Sequence, residues 1–171
     1  MELQGQGFKL RNWKLEDIES LQKHADNPNI SCFLWDRFPN PYTKDDAIKW
    51  TALMLKQNPL VNFAIDINGE AVGAISLEPR PDVYAKAPLL GYWLSESFWG
   101  RGIMPRAIKL VTNYAFTSLG AIRVQAIVFG NNPQSMRVLE KAGFTKEGVL
   151  RNNVIKNGVV LDEHVYGMLK G

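Results

Sequence analysis

Gly100-Arg101-Gly102 stands between an apolar run, 89–94, and Pro105, where a long helical pattern begins. A strand that turns through glycines into a helix brings backbone N–H groups to the helix start. They carry partial positive charge there and suit a phosphate group. The charge around this turn is uneven. From Ser97 to Leu139 there is no Asp or Glu, while the same span holds Arg101, Arg106, Lys109, Arg123 and Arg137. It carries +5 of a chain whose net charge is +3. Such a field would draw an anionic ligand, although a solvated basic face is the simpler alternative. A second polar group, Asn132-Pro133-Gln134-Ser135, pairs a helix-capping residue with a first-turn proline. His24 and His164 lie far apart without metal-ligand spacing, so no metal site is expected. The single cysteine, Cys32, cannot form an internal disulfide and reads as packing, in keeping with a reduced, cytoplasmic setting.

The elements that must position these residues follow from periodicity and turn chemistry. Phe8 to Asn12 alternates as a strand. Leu15 to His24 is helical, with apolar residues at 15, 18 and 21. Ile30 to Tyr42 is aromatic and irregular. Thr43 with Asp46 resembles a capping box for a helix to about Gln57, expected to bury Ala47, Ile48, Ala52 and Leu55. Strands at 61–67 and 71–77 flank Asn68-Gly69, a tight-hairpin signal. Glu78 to Pro88, with three prolines, reads as a loop, and 89–94 as a strand buried on both faces. A helix from Pro105 to Gly120 carries Ile108, Val111, Ala115 and Leu119. Then come a strand at 121–129 with Ile122, Val124, Ala126 and Val128 inward, and a helix from Asn132 to Gly143 burying Met136, Leu139 and Ala142. Strands at 144–150 and 154–156 lead to a hairpin at Asn157-Gly158 and a last strand at 159–169. This order predicts one α/β domain over 1–171, a single mixed, mostly antiparallel sheet of six to seven strands with helices on both faces.

Composition bounds the function. The chain has 171 residues, 46% hydrophobic and 22% charged, ordinary for a soluble globular protein. No apolar run is long enough for a membrane span, and the first residues lack a secretory pattern. No nucleic-acid-binding motif is present.

Three blocks in order, GYWLSESFWGRGI (91–103), NNPQSMRVLEKAGFTKEG (131–148) and DEHVYGML (162–169), resemble the GNAT N-acetyltransferase superfamily, specifically its branch of ribosomal-protein N-terminal (alanine/serine) acetyltransferases. The resemblance covers essentially the whole chain and implies the acyl-CoA N-acyltransferase fold. It implies an acetyl-CoA site at the glycine turn, where the family pattern Gln/Arg-x-x-Gly-x-Gly/Ala meets Trp99 to Met104. Trp99 and Met104 depart from the pattern's side chains, but the contacts it describes are backbone N–H groups. Gly100, Arg101, Gly102, Ile103 and Met104 would wrap the pyrophosphate, and Arg106 or Arg137 could meet the 3′-phosphate. Tyr92, Trp93 and Leu94 would border the pantetheine arm, with an N–H near Leu94 polarising the thioester carbonyl.

By the same resemblance, Asn132 would bond the pantetheine amide and Ser135 would be the general acid, since Leu139 stands where many relatives have a tyrosine. The alternatives for these two are a helix cap and a first-turn residue. The family's usual carboxylates are absent from 89–91 and 151–154. Glu78 is the first candidate for the base, with Asp36, Glu163 or a water chain as alternatives. Trp35, Asp36, Phe38 and Tyr42 could hold an amine between aromatic faces and a carboxylate, or could simply cover the core. The implied activity is acetyl transfer from acetyl-CoA to a small-molecule amine or a protein N-terminus, by direct attack in a ternary complex. A non-catalytic acyl-CoA-binding module is the competing reading. Neither nucleic acid nor membrane is an expected partner, and the chain would be a monomer or homodimer.

Overall fold

The computed structural model describes residues 1–171. Alternation and turn residues set the strands: β1 (Glu2–Gly5), β2 (Phe8–Arg11), β3 (Asn62–Ile67), β4 (Glu70–Glu78), β5 (Leu89–Leu94), β6 (Arg123–Phe129), β7 (Thr145–Lys156) and β8 (Val159–Leu169). The helices are α1 (Ile18–Ala25), α2 (Pro28–Ser31), α3 (Lys44–Met54), α4 (Ile103–Thr117) and α5 (Pro133–Ala142). They form two compact units, one of residues 1–76 and 92–103, the other of residues 77–91 and 104–171.

In the first unit β1 to β4 run antiparallel. β3 is buried over Asn62–Asp66, which requires cover on both faces. On one face Ala64, Ala71 and Ala74 meet Trp13, Leu21, Ala25, Tyr42 and Ala47, with Phe38, Trp50, Met54 and Trp93 partly buried against them. The small residues on the strands leave room for the tryptophans and Tyr42 above them. Beside this core lies a buried ion triad. Arg11 Nη1 and Nη2 each donate to Asp17 at 2.8 Å, and Arg11 Nε donates to Asp66 at 2.5 Å. Burial opposes ionisation of Asp66, but bonds from Arg11 and the Gly69 N–H outweigh it and hold the carboxyl below its usual range.

In the second unit β5 begins in parallel register with β6, at Leu89↔Gln125 and Leu90↔Ala126, and β6 and β7 both pair antiparallel with β8. The order along the sheet is β1-β2-β3-β4-β5-β6-β8-β7. Both Asn-Gly hairpins form, with positive φ at Asn68, Gly69, Asn157 and Gly158.

Several details differ from the sequence reading. The sheet has eight strands, because Glu2–Gly5 pairs with β2 although its residues carry no apolar alternation. The segments 144–150 and 154–156 belong to one strand, in which a register shift between Leu150 and Val154 absorbs the polar residues between them and a second shift falls between Lys146 and Gly148. Helix α3 stops at Met54 and buries Ala47 and Thr51, whereas Ile48, Ala52 and Leu55 are exposed. Leu15 is exposed in a short 3-10 turn ahead of α1, and Ile122 is exposed ahead of β6. Met136 is half-buried, and β5 exposes Gly91 while burying Leu90 and Leu94.

Candidate active site

The glycine turn forms as its residue types require. Gly100 and Gly102 have φ of 75° and 67°, the left-handed region open to glycine without strain. A Cβ built at either would meet nothing within 4 Å, so the turn presents bare backbone to open space. Ile103 and Met104 then start α4, whose first-turn N–H groups have no acceptor within the helix itself. Residues around the turn hold it in place. Trp99 Nε1 donates to the Leu94 carbonyl at 2.7 Å, and Arg101 Nη2 donates to the Ser97 carbonyl at 2.9 Å. The Arg101 guanidinium also lies 5.0 Å from the Phe98 ring centre.

Upstream, β5 is pressed close to β4. A Cβ at Gly73 would stand 2.5 Å from the Trp93 carbonyl oxygen, so only glycine fits there. The Ser95 N–H donates to the Val72 carbonyl at 2.8 Å and closes this end of the strand. Trp93 packs against Phe38 with ring centres 5.9 Å apart, and Phe38 meets Tyr42 at 5.1 Å. The β5 residues expected near the thioester and part of the aromatic segment expected near the amine are therefore in contact. Tyr42 is buried in the core, and burial raises its phenol well above the ordinary range. Trp35 and Asp36 are exposed, and the Arg37 guanidinium sits 4.7 Å from the Trp35 ring centre.

In the second unit the Asn132 side chain accepts from the Ser135 N–H at 3.2 Å and caps α5, with Pro133 in the first turn. The cap uses Oδ1, so the donor end of the carboxamide is a separate group. Ser135 and Arg106 are half-buried and Arg137 is exposed. Arg123 binds Glu147 at 2.6 Å, so one of the five positive charges of the acid-free span is matched. Glu78 is the half-buried last residue of β4. Glu163 is buried and accepts from Asn153 Nδ2 at 2.7 Å. The Tyr166 hydroxyl donates to Glu140 at 3.1 Å, and burial followed by this carboxylate raises its pKa.

Residues 8–145 match the family described as "Acetyltransferase (GNAT) domain". The chain belongs to this GNAT acetyltransferase family. It is 44% identical over 98 residues to "Probable N-acetyltransferase YjcK" of Bacillus subtilis, a match covering 57% of this chain and 54% of the relative. The chain thus spans about half the length of that relative. It is 30% identical over 153 residues to the spermidine N(1)-acetyltransferase of Escherichia coli K12, covering 88% of this chain and 79% of that one. The GNAT fold is also that of RimL, a ribosomal L7/L12 alpha-N-protein acetyltransferase solved with coenzyme A. That structure aligns at a TM-score of 0.85 and 21% identity, over 99% of this chain and 98% of the other.

Sequence reasoning on this GNAT chain missed the support around the turn: Gly73, the Trp99 indole on Leu94, and a set of bonds from α1 and α2 to Ser95 and Glu96. Gly73 carried a faint signal, a lone glycine inside an apolar strand. The Trp99 bond reaches back only five residues but depends on a turn that no pattern of residue types marks. The bonds from α1 and α2 join residues far apart in sequence and have no local signature. No group of three His, Cys, Asp or Glu side chains is placed to hold a metal ion, and no helix is long and apolar enough to cross a membrane.

Proposed function

We propose that this chain transfers an acetyl group from acetyl-CoA to a primary amine. The observation that carries the reading is the pair of positive-φ glycines with open space at their Cβ positions, directly before α4. The N–H groups of Arg101, Gly102, Ile103 and Met104 bind the pyrophosphate there. Pro105 contributes none, having no N–H. Arg106 and Arg137 are the candidates for the 3′-phosphate. Tyr92, Trp93 and Leu94 border the pantetheine arm, and an N–H near Leu94 polarises the thioester carbonyl as negative charge develops on its oxygen. Asn132 spends its Oδ1 on the cap, so it would meet a pantetheine carbonyl through Nδ2.

The neutral amine nitrogen attacks the acetyl carbonyl, a C–N bond forms and the C–S bond breaks. Ser135 gives a proton to the departing thiolate and regains one from solvent. The proton lost by the amine goes to Glu78 or, through water, to solvent. Trp35, Asp36 and Phe38, backed by the buried Tyr42, form the acceptor wall, with Asp36 attracting a cationic amine. The acceptor is a small amine or a protein N-terminus. The spermidine-acetylating relative supports the first, and the resemblance to ribosomal-protein acetyltransferases supports the second. A panel of spermidine, amino acids and peptides beginning with Ala or Ser, assayed for CoA thiol release, tests the reading. At least one member is expected to accelerate release. CoA binding with no acceleration by any amine would leave an acyl-CoA-binding module instead.

A further inference from the structure

The turn that leads from β5 to α4 is irregular, with one short 3-10 turn at Glu96–Phe98 and two positive-φ glycines. Its own backbone bonds, from the Phe98 N–H to the Ser95 carbonyl and from the Trp99 N–H to the Glu96 carbonyl, close it locally. A further set of contacts comes from the corner between α1 and α2. His24 Nδ1 lies 2.9 Å from Ser95 Oγ, and His24 Nε2 lies 3.0 Å from a Glu70 carboxylate oxygen. A carboxylate only accepts, so Nε2 carries the hydrogen toward Glu70; in the neutral ring Nδ1 then accepts from the Ser95 hydroxyl. Ser95 Oγ is also 3.2 Å from Ser97 Oγ, which extends the chain into the turn. The His24 ring meets Phe98 edge-on at 6.2 Å, and Phe98 is the ring beneath Arg101. Ser95 is 6% exposed and its hydroxyl is engaged on both sides, so the serine–histidine–carboxylate series holds a loop rather than presenting a nucleophile.

The second set of bonds controls a charge. Glu96 is the last acid before the acid-free span. Its carboxylate accepts from Asn27 Nδ2 at 2.7 Å and from Asn29 Nδ2 at 3.1 Å and 3.3 Å. These bonds, Asn27's first, hold its pKa below the usual range. They also tether the one carboxylate that adjoins the proposed pyrophosphate cradle, where a free negative charge would oppose phosphate.

We propose that His24, Asn27 and Asn29 are positioning residues for acetyl-CoA. They fix the turn from Ser95 to Gly102 through Ser95 and Phe98, and they restrain Glu96. This rests on the assignment of the turn as the pyrophosphate cradle. The corner continues through α2 into the aromatic segment, so the proposed acceptor wall and the cofactor turn share one support.

Calorimetric titration with CoA tests the idea on wild type, His24→Ala, His24→Asn, the double variant Asn27→Ala/Asn29→Ala, and Gly102→Val. His24→Ala should weaken CoA binding about five- to tenfold, the scale of one lost buried hydrogen bond. His24→Asn keeps an acceptor near the Nδ1 position and should return affinity to within about twofold of wild type, a rescue that general destabilisation would not give. Asn29 is exposed, and half-buried Asn27 also caps the single turn of α2. Losing that cap costs about 1 kcal/mol, so the double variant should fold, and it should lose about threefold in affinity. Wild-type affinity in the double variant, or in a folded His24→Ala protein, would overturn the positioning role. Gly102→Val separates the two claims. If it abolishes binding while the other variants do not, only the corner's role falls. If it too binds like wild type, the cradle itself is wrong.

Discussion

Replacing Gly73 by alanine should displace the strand on which the thioester is proposed to rest. The new Cβ would lie 2.5 Å from the Trp93 carbonyl oxygen, 3.1 Å from Leu94 Cα and 3.2 Å from Leu94 Cδ1. The nearest two atoms are backbone, so no side-chain rotation relieves the overlap. An ordinary C···O contact needs about 3.3 Å, so β5 must retreat by roughly 0.8 Å. That movement strains the neighbouring bond from the Ser95 N–H to the Val72 carbonyl, now 2.8 Å long. Overpacking costs about 1–3 kcal/mol and a weakened buried hydrogen bond about 1 kcal/mol, which together suggest about 2–3 kcal/mol. For a chain of this length the melting temperature should fall by about 5–10 °C. A shift of this size near the reacting carbonyl should lower turnover by about a hundredfold. Urea denaturation and a thiol-release assay measure the two effects. Gly148→Ala is the control, since a Cβ there meets nothing within 4 Å. Stability of Gly73→Ala within about 0.5 kcal/mol of wild type would refute the close approach of the two strands.

Other predictions concern the frame and the chemistry. Arg11→Met leaves Asp17 and Asp66 buried without their cation and should cost about 3–5 kcal/mol in denaturant unfolding. Asp66 titrates lower in the folded chain than its unfolded value of about 3.9. Its contribution is therefore complete above that value and is lost as pH falls through the lower folded one. Asp66→Asn should flatten this part of the acid-unfolding curve. Asn132→Ala removes the α5 cap and should cost about 1 kcal/mol, with weaker CoA binding in the same preparation. Ser135→Ala should lower turnover about a hundredfold or more at unchanged CoA affinity, and unchanged turnover would remove its general-acid role.

Most of the frame was legible because its signals are local. The two Asn-Gly hairpins, the Thr43 capping box and the Asn132-Pro133 helix start each place a residue whose side chain or φ preference decides the backbone on the spot. β1 was not legible, because a polar edge strand is held by pairing and carries no apolar pattern. Burial was misjudged on α3, where Ile48 and Leu55 face out and Trp50 packs in, since tertiary packing chose the face. At the candidate site the glycines were legible through their conformational freedom. The support given by His24, Asn27 and Asn29 was not, because those bonds join segments up to 71 residues apart. The base was not legible for a different reason. A carboxylate becomes a base through its distance from a substrate, and Glu78, Asp36 and Glu163 look alike in a sequence.

The central claim is that the β5–α4 turn binds the pyrophosphate of acetyl-CoA through backbone N–H groups. Amide NMR of the 15N-labelled protein titrated with CoA tests it directly. The account predicts that the largest shifts fall on the N–H resonances of Arg101, Gly102, Ile103 and Met104 and saturate together. Saturable CoA binding that leaves those four resonances in place would contradict it.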